Sequence, residues 1–177
     1  MEAPAIPPPI TAMSHSAITP GKLHENILPA YPGVYSLGMQ NQALRFQVDD
    51  RGVTPEALAG LFQAAGLAHR GAQKIHRAYR NSDVVCFCFD AARLVATGRA
   101  LTDGEYHATI YDVAVHPDYQ RQGIGSRVMQ ELIERLPVWR VLLVAADEAQ
   151  PFYTRLGFKP YADVLARLDP DVLRART

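Results

Sequence analysis

The segment from Thr109 to Ser126, TIYDVAVHPDYQRQGIGS, constrains the fold more than any other part of the chain. It opens as an apolar run with the β-branched residues Ile110, Val113 and Val115, breaks at Pro117 and turns helical at Gly123. Val128, Met129, Leu132, Ile133 and Leu136 then recur at helical spacing and form one apolar stripe. The pattern is strand, glycine turn, helix. Such a turn leaves the first N–H groups of the helix without intrahelical acceptors, at the positive end of the helix dipole. That arrangement is an anion site. Gly123 and Gly125 allow a phosphate to approach the backbone, and Gln120, Arg121 and Gln122 add donors at the rim.

Two familiar phosphate loops do not fit. A Walker loop ends in Gly-Lys-Ser/Thr, whereas Ser126 follows Gly125 directly. A dinucleotide fingerprint needs a third glycine beyond Gly123 and Gly125. Gln120-Arg121-Gln122-Gly123-Ile124-Gly125 instead resembles the acetyl-CoA loop of the GNAT superfamily of N-acetyltransferases, Q/R-x-x-G-x-G/A. The preceding Val113-Ala114-Val115-His116-Pro117-Asp118-Tyr119 is also similar to that family. So is a downstream segment, Phe152-Tyr153-Thr154-Arg155-Leu156-Gly157-Phe158, which matches F/L-Y-x-x-x-G-F.

Elsewhere the chain reads as short elements in one order. Leu44–Val48 alternates as a strand, and Thr54-Pro55-Glu56 opens a helix with a cap, a first-turn proline and a first-turn acid. Leu58, Leu61, Phe62 and Ala65 form its apolar face, and Gly66 ends it. A second helix is expected from Ala72 to Tyr79, with Ile75, Ala78 and Tyr79 facing inward. Strands follow at Val84–Phe89 and Leu94–Leu101, and Thr102-Asp103-Gly104 turns the chain into the central strand. Val141–Ala145 reads as a strand buried on both faces, Pro151–Phe158 as a short helix stopped at Gly157, and Tyr161–Leu168 as a last strand. This order resembles the GNAT order. It implies an α+β (α/β) fold with a central mixed, mostly antiparallel sheet flanked by helices and splayed between its fourth and fifth strands.

Residues 1–41 are different material. Seven of the 13 prolines lie between Pro4 and Pro32, so a proline-rich arm precedes a folded domain over 42–177. The 18 basic residues balance 18 acidic ones, which removes a global electrostatic case for nucleic acid or an anionic membrane. No run reaches transmembrane length and no secretory leader is evident, so the expectation is a cytoplasmic protein. Cys86 and Cys88 share one face of an apparent strand, with Phe87 and Phe89 on the other. Two thiols so placed read as reduced core residues, and neither a disulfide scaffold nor a zinc site is expected.

The resemblance implies acetyl transfer from acetyl-CoA to a primary amine by direct attack, with no metal. Cofactor contacts are implied at Val113, Ala114 and Val115, whose backbone would pair with the pantetheine arm, and at Gln120, Arg121, Gln122, Gly123, Ile124, Gly125 and Ser126. Tyr153 is implied as general acid to the leaving thiolate; its alternative role is an amphipathic core tyrosine. Several relatives carry a base at positions matching Thr109 or Tyr111, where this chain has neither carboxylate nor imidazole. Tyr111, Asp147 and a water chain are the remaining candidates, while Asp112 reads as a structural hydrogen-bonder. Strand alternation places Glu105, His107, Thr109 and Tyr111 on one face and Ile110, Asp112 and Ala114 on the other, unless a bulge shifts the register. Tyr31, Tyr35, Tyr79, Tyr106 and Tyr111 would suit a small aromatic amine acceptor. A protein lysine or N-terminal amine and a non-catalytic CoA-binding module are the alternatives. A homodimer is compatible with the family and with an arm that could exchange between copies.

Overall fold

The computed structural model describes residues 44–67, 71–161 and 164–165. The arm over residues 1–41, with Tyr31 and Tyr35, lies outside the described residues, as does most of the expected last strand; Tyr161, Val164 and Leu165 carry no strand pairing. The described elements are β1 (Arg45–Gln47), α1 (Pro55–Ala64), α2 (Ala72–Arg80), β2 (Val84–Asp90), β3 (Arg93–Thr102), β4 (His107–Val115), α3 (Ile124–Ile133), β5 (Arg140–Leu143) and α4 (Gln150–Arg155). Three-residue 3₁₀ turns precede α3 and α4 at Pro117–Tyr119 and Asp147–Ala149. The elements are those expected, in the order expected, up to the last strand.

Local chemistry accounts for the boundaries. The Thr54 hydroxyl accepts the Ala57 N–H at 3.1 Å, and Pro55 occupies the first helical position, so α1 begins where the cap places it. Past its end, Gly66 adopts φ +76 and the Leu67 N–H returns to the Phe62 carbonyl at 2.8 Å, a left-handed stop that satisfies a terminal acceptor. At the β3–β4 turn, one Asp103 oxygen accepts the N–H groups of Glu105, Tyr106 and His107 at 2.9, 2.7 and 2.9 Å. Those three donors hold the carboxyl well below the usual carboxylate range.

The sheet runs β1-β2-β3-β4-β5, antiparallel through β4 and parallel between β4 and β5. Its two faces feed separate cores. Cys86, Cys88, Ala108 and Ile110 pack beneath Val128, Met129 and Leu132 of α3. On the other face Val85, Phe87 and Phe89 pack beneath Leu58, Leu61 and Phe62 of α1 and Ile75 and Tyr79 of α2. Cysteine and phenylalanine therefore part company across β2 as strand alternation requires. Burial pushes both thiols up to about 12.

Two expectations need correction. The alternation read along the central strand does not survive to its end. Thr97 pairs with Ala114 and Arg99 with Tyr111, so Gly98 alone stands opposite both Asp112 and Val113. This is a β-bulge, with Asp112 in the left-handed region at φ +55. Beyond it the faces exchange: Ile110 lies in the α3 core, whereas Ala114 lies in the core under α1 and α2. The fifth strand, in turn, is not buried on both faces. It spans Arg140–Leu143, each residue is half-buried, and Val144 is 79% exposed. Among the described residues β5 is an edge of the sheet, so an apolar run lacks the flanking strand that would cover it.

Candidate active site

The parallel ladder between β4 and β5 ends at Ile110 and Leu143, while β4 continues beside β3 as far as Val115. From that point the two strands diverge. The His116 N–H donates to the Val95 carbonyl on β3 at 2.8 Å. Alternation from there turns the main-chain groups of Val115 and Val113 away from β3, toward the side that β5 has left. The Val115 carbonyl on that side accepts Gln120 Nε2 at 3.1 Å. Of the three residues expected to offer backbone to a cofactor, Val113 and Val115 thus face the opening. Ala114 is paired with Thr97 and is buried.

The loop over residues 120–125 is shaped by its own side chains. Gln122 Nε2 donates to the Asp118 carbonyl at 2.9 Å, so each glutamine uses one amide hydrogen to brace the loop, and each retains a second for a ligand. His116 stands at the entry. The Arg93 guanidinium lies 2.7 Å from His116 Nε2, and His116 Nδ1 accepts the Asp118 N–H at 3.3 Å, so the ring links β3 to the turn before the loop. Arg121 and Gly123 both take positive φ, +60 and +80, and bend the chain sharply into α3. Gly123 caps α3 without a side-chain bond, so the N–H groups of Ile124, Gly125 and Ser126 sit at a helix start with no capping oxygen supplied by the preceding residue. The Ile124 side chain itself is buried in the core, which leaves its N–H as the part available to a ligand.

The downstream motif meets this loop directly. A Cβ placed on Gly125 would stand 3.4 Å from Phe152 Cζ and 3.4 Å from Val115 Cγ2. The tip of β4, the first turn of α3 and α4 therefore converge on one glycine. Tyr153, next to Phe152, is half-buried against the α3 core, with its ring 4.9 Å from Phe152 and 6.1 Å from Phe158, both edge-on. Burial raises its phenol above the ordinary tyrosine value, which keeps the hydroxyl protonated. A half-buried, protonated phenol is suited to giving a proton to a developing anion.

The other catalytic candidates each have local partners. Asp147 is exposed in the 3₁₀ turn before α4 and accepts Gln150 Nε2 at 3.0 Å, a local contact around the start of that helix. Tyr111 is 38% exposed on the sheet face opposite α3, with the Arg99 guanidinium 4.9 Å from its ring centre. Asp112 pairs with Arg99, in line with a structural role. The aromatic wall is thinner than expected. Tyr79 is 1% exposed and belongs to the core, because α2 turns it inward against Phe62 and Phe87. Tyr106 is exposed but sits near His107 and Trp139 at the far end of β4. Two residues went unremarked in the sequence, Gly98 and Arg99. The available signal was a lone cation next to a glycine inside the apolar run Leu94–Leu101. No group of His, Cys, Asp and Glu among the described residues could hold a metal.

The family profile described as an acetyltransferase (GNAT) domain matches residues 72–160, half of the 177-residue chain. The uncharacterized N-acetyltransferase ycf52 of Porphyra purpurea is 33% identical over 108 residues, covering 57% of this chain and 62% of the relative. Serotonin N-acetyltransferase 2, chloroplastic, of Oryza sativa subsp. japonica is 33% identical over 130 residues, covering 70% of this chain and 61% of the relative. The chain spans less than two thirds of the length of either. A GNAT-family acetyltransferase structure from Streptococcus pneumoniae superposes with a TM-score of 0.62 at 25% identity, over 71% of this chain and 96% of that one. Profile, relatives, fold and the junction at Gly125 agree, and the chain belongs to the GNAT acetyltransferase family.

Proposed function

We propose that this chain is an acetyl-CoA-dependent N-acetyltransferase that acts on a primary amine of a small molecule. One observation carries the reading: a helix start and a strand edge left by its neighbour meet at Gly125 beside Phe152, and the next residue of α4 is the half-buried Tyr153. A pure CoA-binding module has use for the first two and none for the third.

Acetyl-CoA, when bound, would supply an activated acetyl thioester. The residues present fit it. The N–H groups of Ile124, Gly125 and Ser126, with Gln120, Arg121 and Gln122, would hold its diphosphate by charge-assisted hydrogen bonds at the helix dipole. Val113 and Val115 would pair with its amide-bearing arm as an added strand. Tyr153 holds a proton at Oη for the departing sulfur. Thr109 and Tyr111 carry neither a carboxylate nor an imidazole, so the ammonium proton would go to water or to Asp147.

A small amine is favoured over a protein because Tyr111 offers an exposed ring on the sheet face away from α3, and because a relative carries the name of a serotonin acetyltransferase. Free-thiol release from acetyl-CoA against a panel of amines tests the reading. The panel spans arylalkylamines, polyamines, amino sugars, aminoglycosides and a lysine peptide. Release that depends on an arylalkylamine is the expected result. Release only with the lysine peptide would move the activity to proteins, and CoA binding without release on any amine would favour the binding module.

A further inference from the structure

The β4 bulge decides which main-chain groups face the opening between β4 and β5, and it is held by side chains that the proposed chemistry does not use. With the bulge, Val113 and Val115 present their N–H and C=O groups to the open side. A regular ladder would present Asp112 and Ala114 instead, because removing the extra residue shifts the pairing by one. The bulge places an aspartate at φ +55, a conformation that an L side chain adopts only where its surroundings hold it.

Two contacts on Asp112 provide that hold. The Asp112 carboxylate accepts Arg99 Nε at 2.6 Å, with both side chains largely withdrawn from solvent at 7% and 11% exposure. The Asp112 carbonyl accepts the Tyr79 hydroxyl, reaching across from α2, at 3.0 Å. Arg99 is fixed in turn by Ser82 Oγ at 3.3 Å, just past the end of α2, and by the Tyr111 ring. A strand neighbour and a helix thus grip the same residue at its side chain and at its backbone. Such a pair is strongly felt when one partner is removed, because the other charge is left buried and uncompensated.

We infer that Asp112, Arg99 and Tyr79 are positioning residues, a clamp that sets the β4 register and so presents Val113 and Val115 to the acyl donor. The inference rests on the acetyltransferase reading for the donor's identity, and on geometry alone for the register.

The test uses the full chain with Tyr79→Phe, Asp112→Asn, Arg99→Met and Arg99→Lys. CoA affinity is read by calorimetry, the KM values for acetyl-CoA and for the amine by initial rates, folding by thermal melts, and amide exchange at Val113–Val115 by NMR without ligand. Tyr79→Phe removes one oxygen and is expected to fold. The clamp predicts a cooperative melt, a fivefold or larger rise in CoA Kd and acetyl-CoA KM, an amine KM within twofold of the parent, and tenfold faster exchange at Ala114. Arg99→Lys should recover part of what Arg99→Met loses. Folded Tyr79→Phe and Arg99→Met with parental CoA affinity and exchange would overturn the clamp. Should Asp112→Asn not fold, Tyr79→Phe decides. A parent that binds no CoA would sink the acetyltransferase reading alone, and the exchange comparison would still judge the register.

Discussion

Gly98 on β3 and Leu132 on α3 are packed so closely that a Cβ on the glycine would stand 2.9 Å from Leu132 Cδ1 and 3.0 Å from Val128 Cγ1. The glycine lies opposite the bulge, so the helix carrying the phosphate loop seats where β3 lacks a side chain. Gly98→Ala is expected to cost about 1–3 kcal/mol through overpacking, and Gly98→Val more. Urea denaturation checks this: midpoints unchanged in both variants would mean that α3 sits looser than its contacts indicate.

Tyr153→Phe separates chemistry from binding. A positioned general acid contributes roughly 10²–10⁴-fold to rate, so kcat should fall by that order while CoA affinity and the thermal melt stay near those of the parent. Because burial raises the phenol, the parent should also keep its activity past the pH at which an ordinary tyrosine ionises. Steady-state rates across pH test both; a phenylalanine variant with parental kcat would assign the acid elsewhere.

Cys86 and Cys88 are fully buried, with thiols pushed up to about 12 by burial. Thiol reagents should therefore find no reactive cysteine in the native protein and two after unfolding. Because the folded pKa values are raised, their contribution to stability is intact below the unfolded value near 8.5 and is lost as pH climbs toward 12. Each thiol should steepen that loss by roughly 1.4 kcal/mol per pH unit. Denaturation midpoints at pH 8, 9 and 10 for the parent and for Cys86→Ala/Cys88→Ala read the difference.

Asp103 has the opposite sign. Its carboxyl is held below the usual range by the His107, Glu105 and Tyr106 N–H groups, so its contribution is present above about pH 4 and fades as pH falls. Asp103→Asn should be less stable than the parent at pH 7, and the gap should narrow at pH 3. Equal midpoints at pH 7 would show that the turn closes without the carboxylate.

The parts of the fold that were legible are those written locally. The period changes from two to 3.6 at Gly123, Thr54-Pro55 announces α1, and cysteine alternates with phenylalanine along β2. The loop and the Phe152–Phe158 motif were legible for the same reason, since a tight turn and a helix stop need glycines at fixed places. What could not be read depends on residues distant in sequence. An aspartate inside an apolar strand gives no sign that it will take a left-handed conformation, because the cause lies at Arg99 and Tyr79. The apolar run of β5 looks buried until the sheet order makes it an edge. Ile75 and Tyr79 were legible as the inward face of α2, but whether that face met the core or a cleft depended on what covers it.

The bulge has one more consequence. By exchanging faces partway along, β4 behaves as two short strands joined end to end, each answering to a different set of neighbours. His107, Thr109 and Tyr111 are outward positions of the first piece, and Val113 and Val115 belong to the second. Tyr111 touches the clamp through Arg99, whereas His107 and Thr109 lie outside it, and a side chain changed at either leaves the register of the second piece in place. A chain built this way can drift toward new acceptors while the grip on its donor is inherited unaltered.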